Sequence, residues 1–306
     1  MPINLTRFDL VTLRLFVLVV DGGSLTAGAA EFGISVAAAS KRVIELESRV
    51  GQTLLERSQR GIVPTAAGRT LQRHAIELLG RLQQLAVAMD DYKLGAGGHL
   101  RLWANTSAFS GFLPDLLAVY MKAHPDVVID LEDAFSEDAA RAVVSGAAEL
   151  GVIGENTLTD GLQSIICDTD ELVLLVPATH RLGRLKRVGL AQALEHDLVA
   201  LGHATSLMRH IASAAEAAGC RMRIRVQVRS FDALSRMVAA GLGVAILPRA
   251  GAAPHAVAMG LRLVPLEGAW VQRRLRLAMR DRQQLSGPAR AFVELVERRA
   301  GAARTA

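Results

Sequence analysis

The chain has 306 residues, which at roughly 100–200 residues per domain predicts two domains. Its composition, 51% hydrophobic and 21% charged, is typical of proteins with sizeable buried cores. The formal net charge of +5 favours an anionic partner such as nucleic acid, although frequent use of arginine would by itself give the same charge. An aromatic content of 4% argues against a platform that stacks single-stranded bases.

Two cysteines, Cys167 and Cys220, are too few for a disulfide framework and form neither a Cys-x-x-Cys pair nor a zinc-type cluster. We therefore expect no metal and no cofactor. The apolar stretch near the N-terminus contains Thr12 and Arg14 and has no cleavage signature, so no signal peptide is expected. The protein is predicted to act in the cytoplasm.

Residues 9–93 are predicted to be almost entirely helical. Apolar residues recur at helical spacing from Leu10 to Val20, and Ser24 is the expected N-cap of a short second helix that ends at Phe32. After the turn residue Gly33, Ser35 is the expected cap of a third helix that runs to Val50. Three helices with this spacing predict a helix-turn-helix.

Polar residues then separate two short apolar runs between Leu54 and Val63, which predicts a two-stranded wing with a basic tip. Pro64 and Thr65 start a long helix. Its apolar residues step by four and three, which is a heptad seam. A seam of this kind needs a partner helix, either in a second subunit or in the same domain. The seam consists of Leu71, Ala75, Leu78, Leu82, Leu85 and Met89.

From His99 onward strand-like and helical runs alternate, which predicts an α/β region with largely parallel sheets. The glycines at 95–98 mark a hinge before it. The expected domains are residues 1–64 for the helix-turn-helix with its wing, 65–95 for the linker helix and 96–306 for the α/β region. Within the last, lobe I is expected at about 96–166 and 267–306 and lobe II at about 167–266, with crossings near Ile165–Asp168 and Val264–Glu267.

Side chains on the third helix and the wing are suited to duplex DNA. Small apolar residues at the start of the helix permit close approach and can touch thymine methyl groups, and cations hold phosphates. A solvated helix face with alanine as filler is the alternative. The candidate DNA contacts are Ser24, Thr26, Ser35, Val36, Ala37, Ser40, Lys41, Arg42, Arg57 and Arg60.

These residues resemble the LysR-type transcriptional regulators, and the resemblance extends over essentially the whole chain. It implies a winged helix-turn-helix, a dimerising linker helix and a two-lobed effector domain of the type II periplasmic-binding-protein-like fold. Family members usually have Gln-Pro after the cap serine, where this chain has Val36 and Ala37, so the usual glutamine base contact is missing. The resemblance is carried by Phe16-Val17, Gly23 to Thr26, Ala29-Ala30, Ile34-Ser35, Ser40 to Val43, Leu46-Glu47, Gly51, Leu54 to Arg57 and Pro64 to Gly68.

Polar strand-to-helix turns in the second region are the candidate effector contacts. Hydroxyls and backbone N–H groups at a helix start suit a carboxylate or another anion, although ordinary helix capping is the alternative. His203, which lies beside one of these turns, is more often a structural residue than a ligand. The candidate effector contacts are Thr106, Ser107, Thr205, Ser206 and Phe231.

Three other function classes fit less well. No zinc-protease, phosphate-loop or nucleophile-elbow motif is present, so no catalytic residue is predicted and the protein is not expected to be an enzyme. A solute-binding protein would need an export signal, and an architectural DNA protein would leave the α/β region without a role. The expected function is transcription regulation by a homodimer or homotetramer. Its expected partners are duplex DNA, a small anionic effector and, if it activates, RNA polymerase.

Overall fold

The structure is a computed structural model that describes residues 9–58, 61–94, 98–159, 161–202 and 205–305. The chain divides into two compact units, the first running to Met89 and taking in Val144–Ala147, and the second comprising the remainder. None of the helices within the described ranges is long and apolar enough to span a membrane.

The first unit contains α1 (Leu10–Asp21), α2 (Leu25–Phe32), α3 (Val36–Val50), β1 (Leu55–Ser58), β2 (Gly61–Pro64) and most of α4 (Ala66–Leu94). Serine and threonine oxygens cap three of these helices as the sequence predicts. Ser24 accepts a hydrogen bond from Ala27 N at 3.0 Å, Ser35 accepts one from Ala38 N at 3.2 Å, and Thr65 accepts one from Gly68 N at 3.0 Å.

Two glycines let the helices of the first unit pack closely. Gly28 lies against the backbone of Val19, where an added Cβ would come within 2.7 Å of main-chain atoms, so α1 and α2 approach as only glycine allows. Gly33 ends α2 in the left-handed conformation (φ 83°), which turns the chain into α3. The helix-turn-helix therefore has the predicted order and bounds.

The second unit contains the remaining strands and helices. The strands are β3 (His99–Ala104), β4 (Val128–Asp133), β5 (Leu150–Gly154), β6 (Gln163–Pro177), β7 (Asp197–Leu201), β8 (Arg223–Val228), β9 (Ala245–Pro248), β10 (Leu261–Pro265) and β11 (Gln272–Met279). The helices are α5 (Thr106–Ser110), α6 (Leu113–Ala123), α7 (Ser136–Ser145), α8 (Leu190–Leu194), α9 (Ser206–Ala217), α10 (Phe231–Ala239), α11 (Arg249–Met259) and α12 (Gly287–Thr305).

The prediction of largely parallel sheets was wrong, because the main sheet is mixed. Its strand order is β10-β6-β11-β5-β3-β4, with β9 also paired to β6. Within this sheet β3 pairs in parallel with β4 and β5, whereas β6 and β11 pair antiparallel with their neighbours; β7 and β8 form a separate parallel pair. The chain passes from lobe I to lobe II along β6 and returns along β11. These two strands therefore run in opposite directions and pair antiparallel.

Two hydrophobic cores define the lobes. The lobe I core contains residues such as Leu100, Cys167 and Leu275, and the lobe II core contains residues such as Leu172 and Val271. The crossings therefore lie between 167 and 172 and between 271 and 275, a few residues later than the sequence suggested. The physical reason is that β6 is one continuous strand: up to Glu171 it pairs with β11, with a bulge at Cys167, and from Leu172 on it pairs with β9 and β10.

Candidate DNA interface and effector pocket

The first three residues of helix α3 are apolar and exposed. The buried side consists of Ala39, Val43 and Leu46, of which Ala39 and Leu46 belong to the hydrophobic cores of the first unit. The side chains at the start of the helix therefore face solvent. The exposed positions of α3 are Val36, Ala37, Ala38, Lys41, Ile44, Glu45, Ser48 and Arg49, and Ser40 is half-buried.

Arg42 has a structural contact that the sequence did not reveal. Its Nη1 donates to Thr12 Oγ1 at 3.1 Å and lies 3.9 Å from the carboxylate of Asp9. Asp9 also caps α1 by accepting a hydrogen bond from Thr12 N at 2.8 Å. Arg42 therefore ties α3 to α1 through Nη1, and its half-exposed guanidinium remains a candidate DNA contact.

The remaining DNA candidates lie around α3. Ser24 caps α2, and Thr26 is exposed in the first turn of that helix. Arg57 lies in strand β1, opposite Ile62 of β2. Arg60 lies outside the described residues. The wing strands pair antiparallel, and Ile62 N donates to Gly23 O at 2.8 Å, so the wing is anchored beside the start of α2.

The heptad seam of α4 divides into two parts. Leu71 and Ala75 pack against the core formed by Leu13, Phe16 and Leu46, so this end of the seam contacts the helix's own unit. Heptad spacing alone cannot distinguish a partner helix from the helix's own domain, which is why both alternatives were open for Leu71. The rest of the seam is open: the exposed fractions of its side chains lie between 43% and 56%. We call these residues the α4 stripe; they are Leu78, Leu82, Leu85 and Met89.

One pocket between the lobes gathers all five candidate effector residues. Its empty volume is about 320 Å³ when the solvent at its wide mouth is included. His203, the histidine considered beside it, lies outside the described residues. The lining consists of Asn105, Thr106, Ser107, Ala134, Phe135, Ser136, Leu201, Thr205, Ser206, Leu207, Phe231 and Arg273.

Ser136 lies at the centre of a hydrogen-bond network in this pocket. Its Oγ accepts from Gly154 N and from Asn105 Nδ2, both at 3.1 Å. The orientation of the Asn105 amide follows from its other bond, in which Oδ1 accepts from Ala108 N as the cap of α5. A hydroxyl has two lone pairs and one hydrogen, so the Ser136 hydrogen is directed at Ser206 Oγ, 2.9 Å away in lobe II.

A buried arginine forms the floor of the pocket. Arg273 is only 1% exposed; its Nε donates to Asp170 Oδ1 at 3.1 Å and its Nη2 donates to Ser107 Oγ at 2.6 Å. Arg273 and Asp170 thus form a buried ion pair with no net charge. An acceptor on a ligand would meet hydroxyl groups here rather than an unpaired guanidinium.

Further contacts join α9 of lobe II to lobe I. Arg209 pairs with Glu137, and a ring nitrogen of His210 lies 3.2 Å from Asn156 Nδ2. Gly154 lies so close to α9 that an added Cβ would come within 2.5 Å of Ser206 Oγ. The lobes are therefore in direct contact around the pocket.

The carboxylate of Asp133 lies next to Thr106, which lines the pocket. Burial is the largest influence on its pKa, which is raised above the usual value, and Glu132 raises it further. The hydrogen bond from Thr106 Oγ1, at 3.3 Å, acts in the opposite direction. The Thr106 hydroxyl is thus committed to Asp133 as a donor.

Sequence reasoning missed Asn105, Ser136 and Arg273. Ser136 begins a helix after β4 and could have been found by the same strand-to-helix pattern that identified Ser206. Arg273 carried no usable signal, because it stands in an arginine-rich run and only the register of β11 turns it inward.

A winged helix-turn-helix on the same chain as a two-lobed domain with a polar interlobe pocket defines a ligand-responsive DNA-binding regulator. Residues 10–69 match the family model described as the bacterial regulatory helix-turn-helix protein of the lysR family, and residues 93–301 match the LysR substrate binding domain. The chain therefore belongs to the LysR family of transcriptional regulators, and it is a DNA-binding regulator with an effector-binding domain.

Relatives and solved structures agree with this assignment. A probable RuBisCO transcriptional regulator from a Nostoc species is 25% identical over 291 residues, which cover 93% of this chain and 86% of that protein. The crystal structure of full-length BenM matches with a TM-score of 0.60 at 22% identity, covering 96% and 97% of the two chains. Full-length CbnR in complex with its target DNA matches with a TM-score of 0.55 at 23% identity, covering 95% and 99%.

Proposed function

We propose that this regulator binds its operator through α3 and the wing, and that a small effector with a carboxylate or similar acceptor group controls it from the interlobe pocket. The effector shifts the equilibrium between lobe arrangements by binding one of them more tightly. Helix α4 follows the DNA-binding elements in the chain and precedes the effector-binding domain, so it is the segment that transmits the shift. The protein acts by binding rather than by catalysis, as its family does.

Three hydroxyl groups of the pocket are the main reason to expect an effector that offers hydrogen-bond acceptors. Ser206 Oγ accepts from Ser136, Ser107 Oγ accepts from Arg273, and Thr205 Oγ1 accepts from Met208 N at 3.2 Å. None of these three hydroxyls donates its own hydrogen to a described residue. Three hydrogens are thus available at one pocket, and a ligand satisfies them by offering oxygen acceptors.

The N-termini of two helices at the pocket also favour a ligand with a carboxylate or similar acceptor group. Helix α7 begins at Ser136 and helix α9 at Ser206, and both residues line the pocket. The first N–H groups of a helix lack intrahelical acceptors, and the helix dipole favours negative charge at that end. Two helices of ten and twelve residues therefore provide a positive field without an unpaired cation.

Self-association completes the proposal. The α4 stripe exposes four large apolar side chains on one side of a long helix, which favours pairing with the same stripe of a second copy. A homodimer, or a homotetramer of two dimers, would place several DNA-binding units on one operator. As a regulator of transcription it would act in the cytoplasm with the chromosome and, if it activates, with RNA polymerase as a further partner.

The DNA contact is tested with full-length protein and duplexes selected from a random library. Lys41→Ala should weaken binding at every sequence and reduce the slope of log affinity against log salt by about one. Lys122→Ala, which alters a lysine of α6 in the other unit, is the matched control and should leave both quantities unchanged. Equal affinity and slope for Lys41→Ala and the wild type would contradict the contact.

The effector class is tested by calorimetry with a panel that pairs small carboxylic acids with their primary amides. The amide keeps size and shape but replaces one acceptor by a donor and removes the charge. At least one acid should bind while its amide binds at least tenfold more weakly. Tighter binding of amides throughout the panel would contradict an acceptor-bearing effector.

A further inference from the structure

The inference concerns the exposed side of α3 and rests on the proposed DNA contact of that helix. Positions one, two, five, six and nine of α3 share one side of the helix, away from its buried residues. We call this set the reading face. It consists of Val36, Ala37, Ser40, Lys41 and Ile44.

The reading face has little capacity for hydrogen bonding to bases. Val36, Ala37 and Ile44 have apolar side chains, and only Ser40 and Lys41 can donate a hydrogen bond. Ser35, at the cap, already accepts from Ala38 N. The reading face has no glutamine, asparagine or arginine for a bidentate pair with adenine or guanine, and Lys41 is its one side chain that can pair with guanine.

Two of the apolar side chains are large and exposed. Val36 is 43% exposed and Ile44 is 61% exposed. A single exposed aliphatic residue is common on any protein and decides nothing. Here both lie on the third helix of a matched DNA-binding domain, whose first residues approach base edges in the major groove. Their exposed surface becomes buried when the helix enters that groove.

Only one base presents an apolar group in the major groove, since thymine carries a methyl group at C5. We infer that α3 selects its operator by contact of Val36 and Ile44 with thymine methyl groups, while Ala37 allows close approach. Ser40 and Lys41 supply the polar contacts. Burial of one methyl group against an aliphatic side chain contributes about a fourfold gain in affinity.

Deoxyuridine provides a direct test, because it keeps every hydrogen-bonding group of thymidine and lacks only the methyl group. Full-length protein first selects an operator from random duplexes. Each thymidine of that operator is then replaced singly by deoxyuridine, and affinity is measured by fluorescence anisotropy. We expect at least two positions at which the replacement weakens binding by about fourfold.

Variants then assign each methyl group to a side chain. Val36→Ala and Ile44→Ala should each abolish the difference between thymidine and deoxyuridine at one position and leave it intact at the other. Val36→Thr, which keeps the shape of valine, should reduce the difference at the same position as Val36→Ala. Val11→Ala removes a similarly exposed valine (48%) from α1 and should leave every difference unchanged.

Two results would overturn the inference while leaving the DNA contact in place. One is equal affinity for the thymidine operator and its fully deoxyuridine-substituted form. The other is a set of differences that Val36→Ala and Ile44→Ala do not alter. Failure to bind any selected duplex would instead contradict the proposed function, and the inference with it.

Discussion

The hydroxyl oxygens of Ser136 and Ser206 lie 2.9 Å apart and join the first turn of α7 in lobe I to the first turn of α9 in lobe II. Because Ser136 Oγ already accepts two N–H groups, it can only donate to Ser206. Contact between the lobes therefore also orients the Ser206 hydrogen. In the proposed function, Ser206 therefore has two roles: it accepts the hydrogen bond that joins the lobes, and it donates a hydrogen bond to the effector.

Ser206→Ala should weaken effector binding by about tenfold, since it removes one donor to the ligand and the hydroxyl contact between lobes. Calorimetry with the acid identified from the carboxylate panel measures the loss. Ser235→Ala is the control: Ser235 is also buried in lobe II, but its hydroxyl donates to Phe231 O within its own helix. Equal losses in the two variants would show that the effect is not specific to the pocket.

Asp170→Asn should destabilise the second unit by about 3–5 kcal/mol, because it leaves the buried guanidinium of Arg273 without a countercharge. Both tryptophans, Trp103 and Trp270, lie in the second unit, so their fluorescence during urea unfolding reports on that unit. Asp232→Asn breaks an exposed ion pair with Arg236 and should hardly move the urea midpoint. A midpoint for Asp170→Asn as close to the wild type as that of Asp232→Asn would be evidence against an essential buried pair.

The double variant Leu78→Asp and Leu82→Asp should convert the oligomer to monomers, because it places two carboxylates in the middle of the α4 stripe. Sedimentation velocity measures the change in mass. Arg73→Asp changes charge on the opposite side of α4 and should leave the assembly intact. If the double variant keeps the mass of the wild type, the stripe is not the interface.

Glu171→Gln should remove a pH-dependent contribution to the stability of the second unit. The hydrogen bond from Arg249 is the main cause that lowers the pKa of Glu171 below its usual 4.5. A carboxylate with a lowered folded-state pKa stabilises the protein above the unfolded-state value, and this contribution is lost as pH falls through the folded-state value. The difference in urea midpoint between wild type and variant should therefore be full near neutral pH and shrink below pH 4.5.

Glu216→Gln, an exposed substitution on α9, is the control for that titration and should follow the wild-type curve. A wild-type-to-variant difference for Glu171→Gln that stays constant from neutral pH into acid would contradict the assigned interaction with Arg249.

Local chemistry explains why the first unit could be predicted closely. Ser24, Ser35 and Thr65 act as caps through hydrogen bonds to residues three positions away, and Gly33 provides a left-handed turn. These interactions involve neighbours in the chain, so sequence spacing is enough to predict them. The contacts of Leu71 with the core of the first unit and of Arg42 with Thr12 could not be predicted in this way, because their partners lie on other helices.

The sequence by itself determined the class of protein, the order of the elements and the polar turns that meet at the pocket, because capping, periodicity and the matching motifs are all short-range patterns. Only the tertiary structure decided that β6 serves both lobes, that Arg273 is buried against Asp170, and that Ser136 donates to Ser206. The partners in the two side-chain contacts are 103 and 70 residues apart in the chain. Pairings over such distances follow from strand register and lobe packing, which no local pattern encodes.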